Sequence, residues 1–227
     1  MRQPNRRPLL VICVATLLTI SVALAVSNTG FKITTHLLKA DGGVNSNSGT
    51  NLVSLPYQTR KSLRSAKELM NDVGFASVIE VSRYIRSSDS FQTYTGRKNS
   101  GVNFPLVAGE GYLVKVSQNV DYVIDGSHAD GLGVMLYRAG DEAPSDPSLQ
   151  GWNVYAPPYH STAQTAYQLM NDIGFASVVR VSKFLRATDA FKTYTGRKGS
   201  GPDFPLTRGE AYYIQMQTTV NYVPSHY

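Results

Sequence analysis

The sequence predicts an α+β protein, mainly antiparallel β, built as two tandem repeats that each hold a small sheet and one short helix. The first observation is an internal repeat, because the run from Leu69 to Val78 returns with one conservative change at Leu169 to Val178. Between 65–123 and 165–223, about 32 of 59 positions are identical and no gap is needed. The other two observations are strand-like composition around each run and a single capped helical pattern in each copy.

The first 25 residues are typical of a signal peptide. Arg2, Arg6 and Arg7 precede an apolar run from Leu9 to Val22, and Ala23-Leu-Ala25 offers a cleavage site between small residues. The apolar run is shorter than the ~20 residues of a membrane span, although an uncleaved anchor is the alternative. We therefore predict export to a secreted, periplasmic or cell-surface location, with no membrane contact after cleavage.

Removal of this segment changes both the chemistry and the charge of the chain. The only cysteine, Cys13, is lost, so the mature chain has no disulfide, no thiol nucleophile and no thiolate metal ligand. Loss of the three arginines lowers the formal net charge from +6 to about +3. Nucleic-acid binding would require a clustered basic face. We expect no nucleic-acid partner, no cofactor and no metal.

The predicted mature chain divides at the repeat. About 200 residues suit one large or two small domains, and the repeat favours two. We place module 1 at 31–128 and module 2 at 132–227, after the signal peptide at 1–25. Because little linker separates the modules, we expect them to pack together with pseudo-two-fold or screw-related symmetry.

Each copy begins with strands. The first is predicted at 31–39 and at 134–139, where branched and aromatic residues dominate. The second is predicted at 51–57 and at 152–159, and the proline inside each should end the strand or place it at an edge.

A short helix follows in each copy. Ser65 to Glu68 and Thr165 to Gln168 have the capping-box pattern, and apolar residues then recur at helical spacing. Gly74 and Gly174 stand where a left-handed C-terminal cap belongs. About nine residues are too few for an isolated helix, so each helix should lie on a sheet. The remaining strands are predicted at 78–86, 91–95, 112–116 and 119–124, with counterparts 100 residues later.

Several of these motifs occur together in a known module. Asn51-Leu-Val-Ser-Leu-Pro56, Gly151-Trp-Asn153, Gly109-Glu-Gly-Tyr-Leu-Val-Lys-Val116 and Gly126-Ser-His128 resemble an uncharacterised repeated module of secreted bacterial proteins. That module begins with a Gly-Trp-Asn-Leu-x-Ser-Leu-Pro strand and ends with a Gly-Glu-Gly-Tyr-x-Val strand. The resemblance covers about 90 residues twice and implies an exported, modular, non-catalytic protein. The second copy departs from it at Ala211, which replaces the second glycine.

Two basic loops are the candidate ligand site. Gly96 to Gly101 and Gly196 to Gly201 lack the Gly-Lys-Ser/Thr order of a phosphate loop, yet backbone N–H groups and arginine can bind an anion. The alternative is a pair of solvated hairpin loops. The tyrosine before each loop could stack on a sugar ring. The candidate ligand-binding residues are therefore Arg97, Lys98, Arg197, Lys198, Tyr94 and Tyr194.

No constellation typical of catalysis stands out. His128 and His226 correspond and each follows a serine, which favours a polar cap on the last strand over a metal-binding pair. The repeated carboxylates Asp72, Asp89 and Glu110 lie near a helix end or in turns, where local backbone hydrogen bonds explain them better than acid–base chemistry. Neither copy shows a polar set that the other lacks.

We therefore expect an exported, non-catalytic tandem-repeat protein. We expect its partner to be a polysaccharide, acidic polysaccharides included, or another component of the cell envelope. Repetition of a whole unit supports a binding role, because it favours multivalent contact. The alternative is a hydrolytic enzyme with a site between the two repeats.

Overall fold

The computed structural model describes residues 30–42, 47–59, 61–96, 100–127, 129, 131–141, 151–196 and 201–225. The predicted signal peptide, the basic residues at 97–98 and 197–198, His128 and His226 lie outside these ranges. Below, the first half means the described residues up to 127, and the second half means those from 131 onward. None of the described helices has the length and apolar character that a membrane-spanning helix needs.

The described chain is mainly antiparallel β with two short α-helices, which confirms the predicted fold class at that level. The first half contains β1 (Phe31–Leu37), β2 (Thr50–Ser54), β3 (Gln58–Thr59), α1 (Ala66–Gly74), β4 (Val78–Ile85), β5 (Ser90–Tyr94), β6 (Gly111–Val116) and β7 (Val120–Ser127). The second half contains β8 (Val134–Leu136), β9 (Trp152–Tyr155), α2 (Ala166–Ile173), β10 (Val178–Leu185), β11 (Ala190–Tyr194), β12 (Tyr212–Met216) and β13 (Val220–Tyr222).

Each half is built around one four-stranded sheet. The strand order is β2-β6-β4-β5 in the first half and β9-β12-β10-β11 in the second. The registers of β4 with β5 and of β10 with β11 agree at an offset of 100, since Val81 pairs with Tyr94 and Val181 with Tyr194. β2 and β9 correspond at an offset of 102, since Asn51 pairs with Val114 and Asn153 with Ile214. The strands β4 and β10 also carry a bulge at the equivalent place, just after Val78 and Val178. Two smaller sheets, β1-β7-β3 and β13-β8, complete the described strands, and β3 was not predicted.

The helices begin at the predicted caps. The Ser65 hydroxyl accepts a hydrogen bond from the Glu68 backbone N–H at 3.3 Å, and Thr165 does the same for Gln168 at 3.2 Å. The Glu68 and Gln168 side chains each accept from the backbone N–H of the residue before the cap, one position earlier than a capping box predicts. Each helix buries its apolar face on its own sheet, as expected for so short a segment.

A buried asparagine explains the Gly-x-Asn motif at the start of β2 and β9. The Asn51 side-chain amide donates to the carbonyl oxygens of Leu38, Gly49 and Val114 at 3.0 to 3.2 Å, and its oxygen accepts from the Leu38 N–H at 2.8 Å. Asn153 repeats this set in the second half. One amide thus ties three chain segments together in a buried position, where an unpaired polar group would be costly.

Reciprocal backbone hydrogen bonds join the two halves. The N–H of Ser54 donates to the carbonyl oxygen of Gly209 at 3.0 Å, and the N–H of Ala156 donates to that of Gly109 at 2.9 Å. Single β-bridges beside these bonds link Val53 with Glu210 and Tyr155 with Glu110. Each of the strand ends of β2, β6, β9 and β12 therefore has two hydrogen-bonded neighbours, and the four ends form a closed ring between the halves.

Gly111 and Ala211 meet inside this ring. A Cβ atom built on Gly111 would lie 2.3 Å from the Cβ atom of Ala211 and 2.8 Å from a methyl carbon of Val154. Such distances are far below van der Waals contact, so only one of these two positions can carry a side chain. This close approach gives a structural reason for glycine at position 111, opposite the side chain of Ala211.

We predict that Ser65→Ala and Thr165→Ala each lower the free energy of unfolding by about 1 kcal/mol, because each removes the acceptor that pairs a free N–H at the helix start. Urea titration of the single variants measures this. Ser87→Ala, an exposed change outside both helices, serves as the control and should stay within about 0.5 kcal/mol of the unsubstituted protein. Unchanged stability at both caps would contradict the capping role.

We predict that Gly111→Ala lowers the free energy of unfolding by about 1–3 kcal/mol through overpacking at the ring. Adding Ala211→Gly should restore much of this loss of stability, because residue 111 then carries the one Cβ atom for which there is space and residue 211 carries none. A double-mutant cycle in urea measures the coupling. Additive effects of the two changes would show that the two positions do not meet.

Alkaline pH should unfold the protein through its buried tyrosines. Burial raises the pKa of Tyr112, Tyr122, Tyr155, Tyr212 and Tyr222 above the usual value of about 10. Above pH ~10 the unfolded chain releases these protons while the folded chain keeps them, so stability is retained below that pH and falls as pH rises further. Phenolate absorbance and circular dichroism followed against pH should therefore change together. Early titration of all tyrosines in a still folded protein would contradict this.

Candidate functional site

The structure separates the two predicted stacking tyrosines. Tyr94 is only 4% exposed and packs in the core of the first half, so it has no free ring face and the prediction that it stacks on a sugar is wrong. Tyr194 is half-buried beside Tyr167, with ring centroids 6.5 Å apart, and its ligand role stays a prediction. Arg97, Lys98, Arg197 and Lys198 lie outside the described residues.

A groove between the two halves is the strongest candidate site in the described structure. We call it the aromatic groove, and its volume is about 380 Å³. This size falls in the range of small-molecule and cofactor sites, which are mostly apolar with a few placed polar groups. The groove is lined by Tyr84, Asp89, Phe91, Trp152, Arg180, Ser182, Phe191, Thr193 and Tyr213.

The floor of the groove is one face of the second half's sheet. Register places Val154, Tyr213, Ser182 and Thr193 side by side across β9, β12, β10 and β11. Because side chains alternate along a strand, all four point to the face opposite the one that packs on α2. The Ser182 and Thr193 hydroxyl oxygens lie 2.8 Å apart and hydrogen-bond to each other. The floor thus combines an apolar half with a hydroxyl half.

Tyr213 is the centre of the aromatic lining. Its ring centroid lies 5.2 Å from that of Phe191, 6.1 Å from that of Trp152 and 6.5 Å from that of Tyr84. The first two pairs are close to perpendicular, with interplanar angles of 88° and 87°, and edge-to-face pairs of this kind are favourable. Burial raises the pKa of Tyr213 to about 12, so its phenol stays protonated at neutral pH.

One end of the groove is formed by Trp152 and Arg180. The Arg180 guanidinium carbon lies 5.0 Å from the centroid of the Trp152 ring, within cation–π range. Arg180 Nε also donates to the side-chain oxygen of Gln215 at 2.6 Å. Register explains the arrangement, because Gln215 pairs with both Trp152 and Arg180 on neighbouring strands. The arginine is thereby held in one orientation over the indole.

The first half supplies the opposite wall. Tyr84 contacts Phe91, with ring centroids 5.5 Å apart, and the Tyr84 hydroxyl donates to the carboxylate of Asp89. Burial and this carboxylate both raise the pKa of Tyr84, so the phenol remains a neutral donor. Asp89 has φ of 45°, a left-handed conformation that aspartate tolerates in tight turns. Phe91 is 51% exposed and Phe191 is 52% exposed, so the groove presents apolar rings to solvent.

The matching face of the first half lacks these features. Thr50 and Glu80 flank Lys115 there, as Trp152 and Arg180 flank Gln215 in the second half. Leu113 stands at the place of Tyr213 in its own cross-strand row. Four neighbouring positions on one sheet face therefore differ between the halves, and the aromatic and arginine residues occur on the second half only.

These differences were visible in the sequence but were missed. Comparison of the copies by identity emphasises what they share, and the expectation that neither copy has a distinctive polar set was wrong for Glu80 and Arg180. The signal is the set of positions 80/180, 113/213 and 115/215, which change in charge or polarity while positions 79, 81, 114 and 116 stay apolar in both copies. Only strand register shows that these positions adjoin one another.

Few carboxylate, histidine or lysine side chains line the described part of the groove. Asp89 is the only carboxylate among its described lining residues, and neither histidine nor lysine lines it there. Across the described residues, no group of three or more histidine, cysteine, aspartate or glutamate side chains could hold a metal ion. The repeated carboxylates have local partners, such as the Tyr122 hydroxyl, which donates to Asp72 at 2.8 Å.

Comparison with known proteins adds no further assignment. The chain matches no protein-family model, and neither a curated protein nor a solved structure is detectably similar to it.

Proposed function

We propose that this chain is an exported, non-catalytic binding protein that holds a polysaccharide in the aromatic groove. The single observation that supports this most is the groove itself, in which both halves place solvent-exposed rings around a hydroxyl-bearing floor. Exposed apolar patches on soluble proteins commonly mark interaction sites. Phe91 and Phe191 expose about half of their surface there.

A pyranose ring matches the chemistry of the groove. Its faces carry C–H groups that pack on aromatic rings, and its edges carry hydroxyl groups that need hydrogen-bond partners. Trp152 and Tyr213 supply rings, while Ser182, Thr193 and Asp89 supply donors and acceptors. Phe91 and Phe191 are about half exposed at the groove, and a site with exposed rings suits a polymer whose neighbouring units continue past it.

The proposal includes an internal duplication of one unit. The reciprocal hydrogen bonds from Ser54 to Gly209 and from Ala156 to Gly109 support a pseudo-two-fold relation between the halves. Matching strand orders and registers support it as well. The groove lies across this relation, because Tyr84, Asp89 and Phe91 come from one half and the remaining lining residues come from the other.

The N-terminal segment of the sequence supports export. A basic start, an apolar run and a small-residue cleavage site suit a signal peptide, which would place the mature chain outside the cytoplasm where polysaccharides of the cell envelope are found. The lone cysteine falls within the segment that would be removed. We therefore propose a cell-surface or extracellular role with an envelope polysaccharide as partner.

Hydrolysis is the competing activity for the same groove. Most glycoside hydrolases act with two carboxylates that flank the scissile bond, one as acid and the other as base or nucleophile. The described groove residues provide Asp89 alone, and Tyr84 already donates to it. A single occupied carboxylate supports binding of the polymer in preference to its cleavage.

Trp152→Ala is predicted to weaken polysaccharide binding by roughly 10- to 30-fold, because truncating a central aromatic anchor typically costs about 1.4–2 kcal/mol. Affinity electrophoresis of the mature protein measures this, through gels that each contain one soluble polymer: a neutral glucan, a neutral mannan, polygalacturonate or solubilised bacterial cell-wall glycan. The matched control is Thr50→Ala, which changes the equivalent position of the first half. The proposal would be contradicted if no polymer slowed the migration of the unsubstituted protein. It would also be contradicted if a polymer slowed the Trp152→Ala variant as much as the unsubstituted protein.

Incubation with the retarding polymer is predicted to release no new reducing ends. Asp89→Asn should leave the polymer's length unchanged, as the unsubstituted protein does, because no acid–base pair is present in the described groove. Size-exclusion analysis of the polymer after incubation measures this. Shortening of the polymer that disappears with Asp89→Asn would instead establish the hydrolase.

A further inference from the structure

Arg180 is an oriented cation that no described carboxylate neutralises. The Arg180 Nε donates to Gln215, and the guanidinium lies over the Trp152 ring. These two contacts fix the orientation of the guanidinium and leave its two terminal nitrogen atoms available. Those two nitrogens have no hydrogen-bond partner among the described residues. Arg180 is half-buried, which reduces the screening of its charge by solvent.

The first half has a different residue at the position equivalent to Arg180. Glu80 replaces Arg180 there, and its cross-strand partner is Lys115. Opposite charges on directly opposed residues stabilise a sheet locally, and the charges of these two residues cancel in sum. In the second half the arginine faces a neutral glutamine, and the patch carries a net positive charge. The change from Glu80 and Lys115 to Arg180 and Gln215 therefore takes the patch from zero net charge to one positive charge, which leaves it open to an outside anion.

We infer that the aromatic groove selects an acidic polysaccharide, whose carboxylate pairs with Arg180 while its sugar ring packs on Trp152 and Tyr213. This inference rests on the proposed function, since it names the ligand class of the same groove. Arginine suits the role because its planar fork matches a carboxylate with two parallel N–H donors. Asp89 stands at the opposite wall, where it accepts hydrogen bonds from sugar hydroxyl groups.

The geometry separates charge recognition from ring packing. A neutral sugar polymer keeps the contacts to Trp152 and Tyr213 and loses only the pairing with Arg180. An acidic polymer makes both kinds of contact. Removing Arg180 should therefore matter for the acidic ligand and hardly at all for its neutral form, whereas removing Trp152 should matter for both.

The test compares an oligogalacturonate of fixed length with its fully methyl-esterified, neutral form. Binding of each to the mature protein is measured by calorimetry over a salt series. We expect Arg180→Ala to weaken binding of the acidic oligomer about 10- to 100-fold, as for a lost hydrogen bond to a charged group, and to change binding of the ester less than about 3-fold. Arg180→Lys should fall between, because it keeps the charge and loses the fork.

Three further variants make the outcome decisive. Lys67→Ala removes one exposed positive charge from the helix of the first half and should change neither affinity. Trp152→Ala should weaken both ligands. Arg97→Ala combined with Arg197→Ala tests the basic loops that the sequence favoured as the anion site. Urea titration of each variant confirms that it is folded.

Each result has one meaning. The inference is supported if Arg180→Ala weakens binding of the acidic oligomer but not of its ester, and if added salt weakens binding of the acidic oligomer only. Equal losses for acid and ester, no loss at all, or loss only in the Arg97/Arg197 variant would overturn it. In those cases the proposed groove still stands if Trp152→Ala weakens binding, and it falls as well if Trp152→Ala has no effect on either ligand.

Discussion

The approach of Gly111 to Ala211 is the constraint on which the arrangement of the two halves depends. The two strand ends come so close that a second Cβ atom would lie 2.3 Å from the first. This closeness lets Ser54 and Ala156 reach the carbonyl oxygens of the facing turns, which closes the ring of four strand ends. A larger residue at either place would push the sheets apart and remove those bonds together.

The ring also determines where the halves can differ. Positions at the ring touch their own counterparts or near neighbours, so a change in one half must be matched by a complementary change in the other. Positions farther out on the sheet face, such as Thr50 and Trp152, have no such reciprocal contact. The aromatic and arginine residues of the groove lie in this outer region, so they can differ between the halves without disturbing the packing at the ring.

Much of the local structure could be predicted from the sequence, because it depends on residues that are neighbours in the chain. The hydroxyl caps at Ser65 and Thr165 and the helical periodicity after them follow from local rules. Gly74 and Gly174 have positive φ, 122° and 113°, but the predicted left-handed cap is wrong at both: Phe75 caps the first helix in a right-handed conformation, and Gly174 has ψ of 105°. The alternating strands 78–86 and 91–95 likewise appear as β4 and β5.

Features that depend on register and on contact between the halves could not be predicted in this way. Tyr94 and Tyr194 are identical residues at identical register positions, yet only Tyr94 is buried. Tyr94 also forms a β-bridge with Gly101, and no equivalent bridge is present among the described residues of the second half. The groove poses the same difficulty, since Trp152, Arg180 and Tyr213 are scattered in sequence and become neighbours only through pairing of β9, β10 and β12.

The position of the groove also explains why a binding site would require both halves of the chain. The sheet face of the second half alone is an open floor with one exposed edge, on which Phe191 stands. Tyr84 and Phe91 of the first half turn that floor into a groove, and apolar contacts and hydrogen bonds between the halves, the ring among them, hold the two sheets together. The contact that makes Gly111 intolerant of a side chain is therefore one of those that set the width of the groove. A change that loosens the ring should weaken ligand binding without altering any residue that touches the ligand.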